Sequence, residues 1–380
     1  MHYKRLLTWI HGSSSYLSVG LDVGADFTWM SIALPNGAFI GKPFKIVHSD
    51  PRSRDLAVTK IKEAQETYSL KSRCFLESTG IYHIPLLCFL RDKGFDCSVI
   101  NPIITKNSTN INIRKLHNDK FDSKKAALVG LNVSLKASII PEDSVVDLRN
   151  LVRDYYYFKD LQSAVALKLT AELKMSFPAY AKVFSKVTTQ SSLKLLSSYP
   201  LAGDMLEASK DDIVETIRST ARFGEAYALR KYDAVIAAAQ DASVFGRALP
   251  SNAVRIRLYI DTYQEYQKHL DALLKALHET VERLQDTLIY DQICLLQSLR
   301  GIGFLSAVVL IAEMGDFKLF PSPKKLYAYF GLDPAVKQSG KLNGDKVHMS
   351  KRGSSLARRV LHMAALNNVK VDKGSGTPVN

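Results

Sequence analysis

The sequence is poor in cysteine and shows no cysteine pattern. Cys74, Cys88, Cys97 and Cys294 form no Cys-x-x-Cys pair. That excludes a zinc ribbon or a disulfide framework and reads as four reduced core thiols of a cytoplasmic protein. No apolar run reaches the roughly 18 residues of a membrane span. The opening "MHYKRLLTWIHGSSS" is too short and too interrupted for a signal peptide. No fixed-period repeat is present. Negative charge is scarce: 37 Asp and Glu face 51 Lys and Arg, a net charge of +14 over 380 residues. The apolar fraction of 46% is that of a globular chain, long enough for two or three domains. So basic a balance favours an anionic partner, of which nucleic acid is the commonest.

The positive charge is concentrated. Residues 317–370 hold eleven Lys or Arg and two Asp, so nine of the fourteen net charges lie in 54 residues. Inside this segment, "GLDPAVKQSGKLNGDKVHMSKRGSSLARR" (331–359) places Ser339-Gly340 among Lys337, Lys341, Lys346, Lys351, Arg352, Arg358 and Arg359. These cations are candidates for phosphate contacts, and Arg352 for transition-state charge. For each one singly, the plain alternative is a solvated surface charge. For Ser339, taken by itself, it is a flexible loop residue beside a glycine.

The order of patterns predicts an α/β domain followed by helices. Strands are expected at 16–23, 27–34 and 38–47, the last two joined by a turn at Pro35-Asn36-Gly37. A helix over about 53–68, a strand at 72–77, a helix over 81–94 closed by Gly94, a strand at 96–101 and a helix from near Phe121 to Gly130 complete it. Three antiparallel strands followed by alternating helices and strands is the ribonuclease H-like order, a mixed sheet with helices on both faces. Residues 146–290 read as helical, with breaks near Pro178, Pro200 and Pro250. One long helix is expected from Ser251 to about Asp286. Tyr263, Tyr266, Leu270, Leu273, Leu277, Leu284 and Leu288 follow heptad spacing with charged flanks, as in a coiled coil. From 291 to 370 a last, mostly helical domain begins with Gly301-Ile302-Gly303 between two apolar segments. Such a helix-hairpin-helix-like turn lets backbone amides approach phosphate. The tail 371–380 is too polar to pack. The expected domains are therefore 1–145, 146–290 and 291–370.

Four acids stand out in the first domain. Asp22 closes the first strand and Glu77 the fourth, and Asp119 and Asp122 share one face at the start of a helix. In a ribonuclease H-like sheet these positions converge. Four carboxylates at one point need a cation between them, and hard oxygen donors select Mg²⁺ or Mn²⁺. Two such ions would serve phosphodiester chemistry. The plain alternative is that strand-end and helix-cap acids are common. Asp26 competes with Asp22, which is preferred because it lies on the strand. His117 and Asn118 precede the Asp pair and stay unassigned. Tyr155, Tyr156 and Tyr157 suit helix packing better than RNA stacking.

Taken together, "GLDVGADF", "FLESTGIY", "NDKFDSKKAALV", "LRGIGFLSAVVLIAEMGDFKLF", "LYAYFGLDPAVKQSG" and "MSKRGSSLARRVL" resemble the DEDD insertion-sequence recombinases, the group that includes the Piv and MooV DNA invertases. The resemblance runs over most of the chain. It implies a RuvC-like domain whose Asp22, Glu77, Asp119 and Asp122 bind Mg²⁺. It also implies a C-terminal transposase domain whose "SG" motif, here Ser339, supplies a serine nucleophile. It further implies guidance by an RNA transcribed from the element's own end (a bridge RNA), with donor and target DNA as substrates. The two halves are expected to meet across a homodimer or homotetramer in a bacterial or archaeal cytoplasm, at the nucleoid. Where the family continues "KRGN" this chain has "KRGSS", which brings Ser354 and Ser355 near the motif. Two rival readings stay open. One is a Holliday-junction-type nuclease using only the four acids and water, and the other is a non-enzymatic nucleic-acid-binding protein.

Overall fold

The computed structural model describes residues 15–77, 82–100, 119–131, 143–220, 224–315, 317–334, 338–339, 342–343 and 348–372. The chain divides into two units, 1–140 and 141–380.

The first unit is built on strand β1 (Tyr16–Val23). Its odd-numbered residues Leu17, Val19, Leu21 and Val23 are buried together with Met30, Ile32, Ile46, Cys74 and Leu76. Ala57, Ile61, Leu86 and Leu90 of the helices α1 (Pro51–Tyr68) and α2 (His83–Asp92) close this core. Each large apolar side chain fully removed from water contributes about 1.5–3 kcal/mol. The even-numbered residues Ser18, Gly20 and Asp22 alternate to the opposite face.

Strands β2 (Phe27–Ala33) and β3 (Phe39–Val47) extend β1 antiparallel on one side. Strands β4 (Lys71–Glu77) and β5 (Asp96–Ile100) extend it parallel on the other. The sheet order is β3-β2-β1-β4-β5, with β1 central as the predicted order requires. Gly37, at φ 83°, makes the β2–β3 turn. Helix α3 (Asp119–Gly130) covers the even face of β1.

The second unit is helical. α4 (Asp143–Ser176) and α9 (Pro250–Glu282) are each about 50 Å long at 1.5 Å per residue. They run antiparallel: Phe158 meets Tyr266 and His269, Gln162 donates to Gln267, and Arg255 pairs with buried Glu172 at 2.7 Å. The predicted heptad seam is filled by α4 of the same chain, with Leu270 and Leu277 buried. The long helix ends at Glu282, short of the expected Asp286: from Leu284 the amides bond three residues back instead of four, and Asp286 then takes a left-handed φ of 66°. Leu288 therefore leaves the seam and begins α10 (Leu288–Gln297), where it is exposed.

At one end of the pair a core forms around Phe177, Tyr180, Leu195 and Ile260. It is enclosed by α5 (Gln190–Ser198), α6 (Ala202–Glu207), α7 (Lys210–Arg218) and α8 (Glu225–Phe245). At the other end Leu148, Val152, Leu277 and Val281 pack on α11 (Phe304–Met314). That helix is buried from Ala307 to Met314 and is accordingly apolar there on all sides except at Glu313. After it come α12 (Pro323–Tyr329), the two-residue strands β6 (Gln338–Ser339) and β7 (Leu342–Asn343), and α13 (Ser355–Asp372). α13 thus includes Val371 and Asp372 of the segment expected to be unstructured; the rest of that tail lies outside the described residues.

All four cysteines are free, but only Cys74 is buried and Cys97 half-buried. Cys88 and Cys294 are exposed, against expectation. Each sits on the outward side of its helix, where Ile84 and Leu295 are exposed as well. Among the described residues no helix is long and apolar enough to cross a membrane.

Candidate active site

Asp22 lies one residue before the end of β1, and Glu77 ends β4. The two strands are parallel with Leu21 opposite Leu76, so both carboxylates emerge at the same edge of the sheet. Asp119 and Asp122 lie in the first turn of α3. What brings that turn to the sheet is a run of small residues. A Cβ on Gly20 would overlap the backbone of Ser123 and Ala127, and one on Gly130 would overlap Phe75 and Ser18. The Ser18 hydroxyl donates to the Ala127 carbonyl at 2.6 Å, and Ser31 and Ser123 share a hydrogen bond of 2.8 Å. The Tyr16 hydroxyl donates to the Gly130 carbonyl at 2.7 Å. Gly20 did not enter the sequence argument, although it stands two residues from Asp22.

The electrostatics register the result. The Asp22 carboxyl is pushed up from 3.8 to about 7, first by burial and then by the charges of Asp122, Asp119 and Glu77; Lys125 opposes them. Asp22 therefore feels all three of the other predicted acids. Asp26 lies exposed in the β1–β2 turn and is not among the groups that shift Asp22. Among the described residues no three acids, histidines or cysteines already stand as a ligand cage. Yet the donors are all carboxylate oxygens, and their mutual repulsion is what a hard divalent cation relieves. The set fits such an ion. His117 and Asn118 lie outside the described residues.

Ser339 belongs to a different structure, a hairpin arm in the second unit. At its root Pro334 bridges Met349, and the amides of Ser350 and Lys351 donate to the carbonyls of Asp333 (2.7 Å) and Gly331 (2.9 Å). The Ser350 hydroxyl donates to the Asp333 carboxylate. Further out, Gln338 pairs with Asn343 and Ser339 with Leu342. Ser339 is thus the last residue of β6. Its side chain, with Lys337, Lys341 and Lys346, lies outside the described residues.

The root is a crossing of two backbones. Gly331 has φ +67°, and a Cβ there would strike the amides of Arg352 and Gly353; one on Gly353 would strike the Tyr329 carbonyl. Arg358 seals the crossing, its Nη1 donating to the carbonyls of Phe330 (2.9 Å) and Gly353 (2.7 Å). Arg359 pairs with Asp160 at 2.8 Å and lies over the Tyr156 ring. Of the predicted phosphate ligands, Lys351 and Arg352 are exposed. The Ser354 hydroxyl accepts from the Ala357 amide at 3.1 Å, capping α13. It also bonds buried Glu313. Burial raises the Glu313 carboxyl, but the Arg153 guanidinium, at 2.8 and 3.0 Å, and Ser354 outweigh it and hold it below the usual range. Ser354 is thereby occupied structurally.

Gly301, at φ +84°, packs against α13, whose Asn368 donates to the Arg300 carbonyl at 3.0 Å. Gly303 precedes α11 with open space around it. Tyr155 and Tyr156 make edge contact and Tyr156 lies under Arg359, whereas Tyr157 is exposed.

Residues 19–178 match the transposase family model of the DEDD type named for IS110. Residues 294–377 match the "Transposase IS116/IS110/IS902 family". The chain is similar to "Putative transposase y4qE" of Sinorhizobium fredii, 30% identical over 121 residues, covering 30% of this chain and 31% of that protein. It is also similar to "Insertion element IS110 uncharacterized 43.6 kDa protein" of Streptomyces coelicolor, 32% identical over 83 residues, covering 22% and 20%. These matches span about a third or less of each relative's length. The first family segment contains Asp22, Glu77, Asp119 and Asp122, and the second contains Ser339. Both segments agree, and the chain belongs to the IS110 family of DEDD transposases.

Proposed function

We propose that this chain is the recombinase of an insertion sequence, cutting and rejoining DNA through a covalent phosphoserine link at sites chosen by an RNA of the element. The observation that carries the reading is the convergence of Asp119, Asp122 and Glu77 on Asp22, felt as the rise of its carboxyl to about 7. The sheet order β3-β2-β1-β4-β5 supports a RuvC-like, ribonuclease H-like domain. Asp22, Glu77, Asp119 and Asp122 would hold the divalent cation, Mg²⁺ or Mn²⁺, which when bound neutralises charge on the scissile phosphate.

The Ser339 hydroxyl, a weak nucleophile unless assisted, attacks phosphorus. A Ser Oγ–P bond forms, the P–O3′ bond breaks, the serine proton passes to solvent and the 3′ oxygen takes one up. A 3′ hydroxyl of the partner duplex then attacks the phosphoserine, restoring a phosphodiester and the free serine. No phosphodiester is lost to water, so exchange needs no ATP. Lys337, Lys341, Lys346, Lys351 and Arg352 hold backbone phosphates around the arm. A guide RNA makes the reading of sequence a matter of base pairing, and the resemblance to RNA-guided recombinases supports it. Acids and serine lie on separate units of the chain, in keeping with a composite site completed in a homodimer or homotetramer.

The test is made in cells, with the gene in its native flanking DNA on a plasmid. Recombined junctions are sought by PCR for wild type, Asp22→Ala and Ser339→Ala. Junctions in wild type alone are the expected result. Junctions that survive Ser339→Ala would sink the serine step and return the chemistry to the acids and water, and a binding protein would yield no junctions at all.

A further inference from the structure

One row of the sheet runs from Asp22 through Trp29 of β2 to Lys45 of β3. Side chains of one row share a face, and adjacent strands lie about 4.8 Å apart. Trp29 is therefore the immediate neighbour of Asp22 on the β2–β3 side. It is half-buried, with the Lys120 ammonium 4.7 Å from its ring centre. Phe27, next along β2 on the same face, has Lys45 at 4.0 Å. Phe39 has Lys124 at 5.1 Å. Three aromatic faces are thus each met by a lysine from a neighbouring element. The acids repel a phosphodiester, while Lys45, Lys120 and Lys124 give this flank cations that attract one.

We propose that this flank is a stacking platform for unpaired DNA, with a base beside the phosphate to be cut lying on the Trp29 indole and Lys45 and Lys120 on the adjoining phosphates. Rings for bases and cations for the backbone are the combination by which single strands are held. A stacked base makes the stronger contact with an indole than an exposed ammonium does, so the base takes the ring face and Lys120 turns to a phosphate. DNA is assigned because Trp29 lies one strand spacing from Asp22, where the strand being cut must pass. The inference rests on the reading of the Asp22 cluster as a strand-cutting site.

The chain has two tryptophans, Trp9 and Trp29, so in the full-length Trp9→Phe protein the emission comes from Trp29 alone. That protein is titrated with a single-stranded DNA oligonucleotide, the same sequence as RNA, and the DNA duplex, with chelator present so that nothing is cut. Single-stranded DNA should quench Trp29. Trp29→Ala, made in the wild-type chain and followed by fluorescence anisotropy of a labelled oligonucleotide, should weaken its binding roughly tenfold and duplex binding by less than twofold. Trp29→Phe, which keeps a ring and the fold, should restore most of the affinity. Absence of quenching, an equal loss for duplex, or Trp29→Phe binding no better than Trp29→Ala would overturn the platform, and stronger quenching by RNA would overturn the assignment to DNA. Binding without metal speaks for the platform alone, and the junction assay speaks for cutting alone, so either can fail without the other.

Discussion

A carboxyl that titrates near 7 instead of 3.8 carries its negative charge at a cost. Between those values the folded chain holds a proton that the unfolded chain has released, so stability falls as pH rises through the window and is fully reduced above pH 7. Every tenfold change in proton affinity corresponds to about 1.36 kcal/mol. Asp22 is only half-buried, and screening by water brings the effect to about 1–2 kcal/mol. Asp22→Asn removes the charge. In chelator at pH 8 the variant should melt a few degrees above wild type, whereas at pH 4 the two should coincide. Mg²⁺ should raise the wild-type melting temperature at pH 8 and fail to do so at pH 5.5, where Asp22 is protonated. Scanning calorimetry reads all of these, and a variant no more stable than wild type at pH 8 would contradict the crowding of the four acids. Asp22 was legible in the sequence because a lone carboxylate ends an apolar strand. Gly20 was not, since its partners Ser123 and Ala127 lie more than a hundred residues away and nothing local marks the contact. Cys88 and Cys294 misled because their neighbours in sequence are apolar while their own helix faces look outward.

At the scale of elements, the hairpin arm is anchored by backbone more than by side-chain packing. Arg358 was expected on phosphate, yet its Nη1 is engaged by two carbonyls of the crossing. Arg358→Ala leaves the Phe330 and Gly353 carbonyls without that donor, at about 1–3 kcal/mol. The variant should lose several degrees of melting temperature, and amide exchange at Ser350 and Lys351 should quicken. Unchanged exchange there would return Arg358 to the surface role. The sheet strands were legible from alternation and from one Asn-Gly turn. Helix ends were less so: α1 begins at Pro51, where the Asp50 side chain caps it, and α9 stops at Glu282, four residues before Asp286 turns left-handed. The arm was illegible, because its pairing depends on Gly331 and Gly353 meeting across more than twenty residues.

For the whole molecule, the net charge of +14 makes any nucleic-acid affinity steeply salt-dependent. Each phosphate neutralised adds about 0.9 to the slope of log affinity against log salt on duplex DNA. Replacing Lys337, Lys341, Lys346 and Lys351 together by Gln should flatten that slope by about 3–4, measured by fluorescence anisotropy across a salt series. A slope that does not move would place these four cations away from the backbone. Where nucleic acid meets this surface is not written in periodicity or spacing, which record what a chain buries and not what it presents.

Ser339 is five residues beyond Pro334, where the arm is fastened. Five residues of chain reach at most about 17 Å. In the reading proposed above, the Ser339 hydroxyl can meet only a phosphate brought within that distance of the root. Discrimination among thousands of identical phosphodiesters then needs no chemical recognition by the serine. It becomes a question of which one is delivered within the radius of the leash.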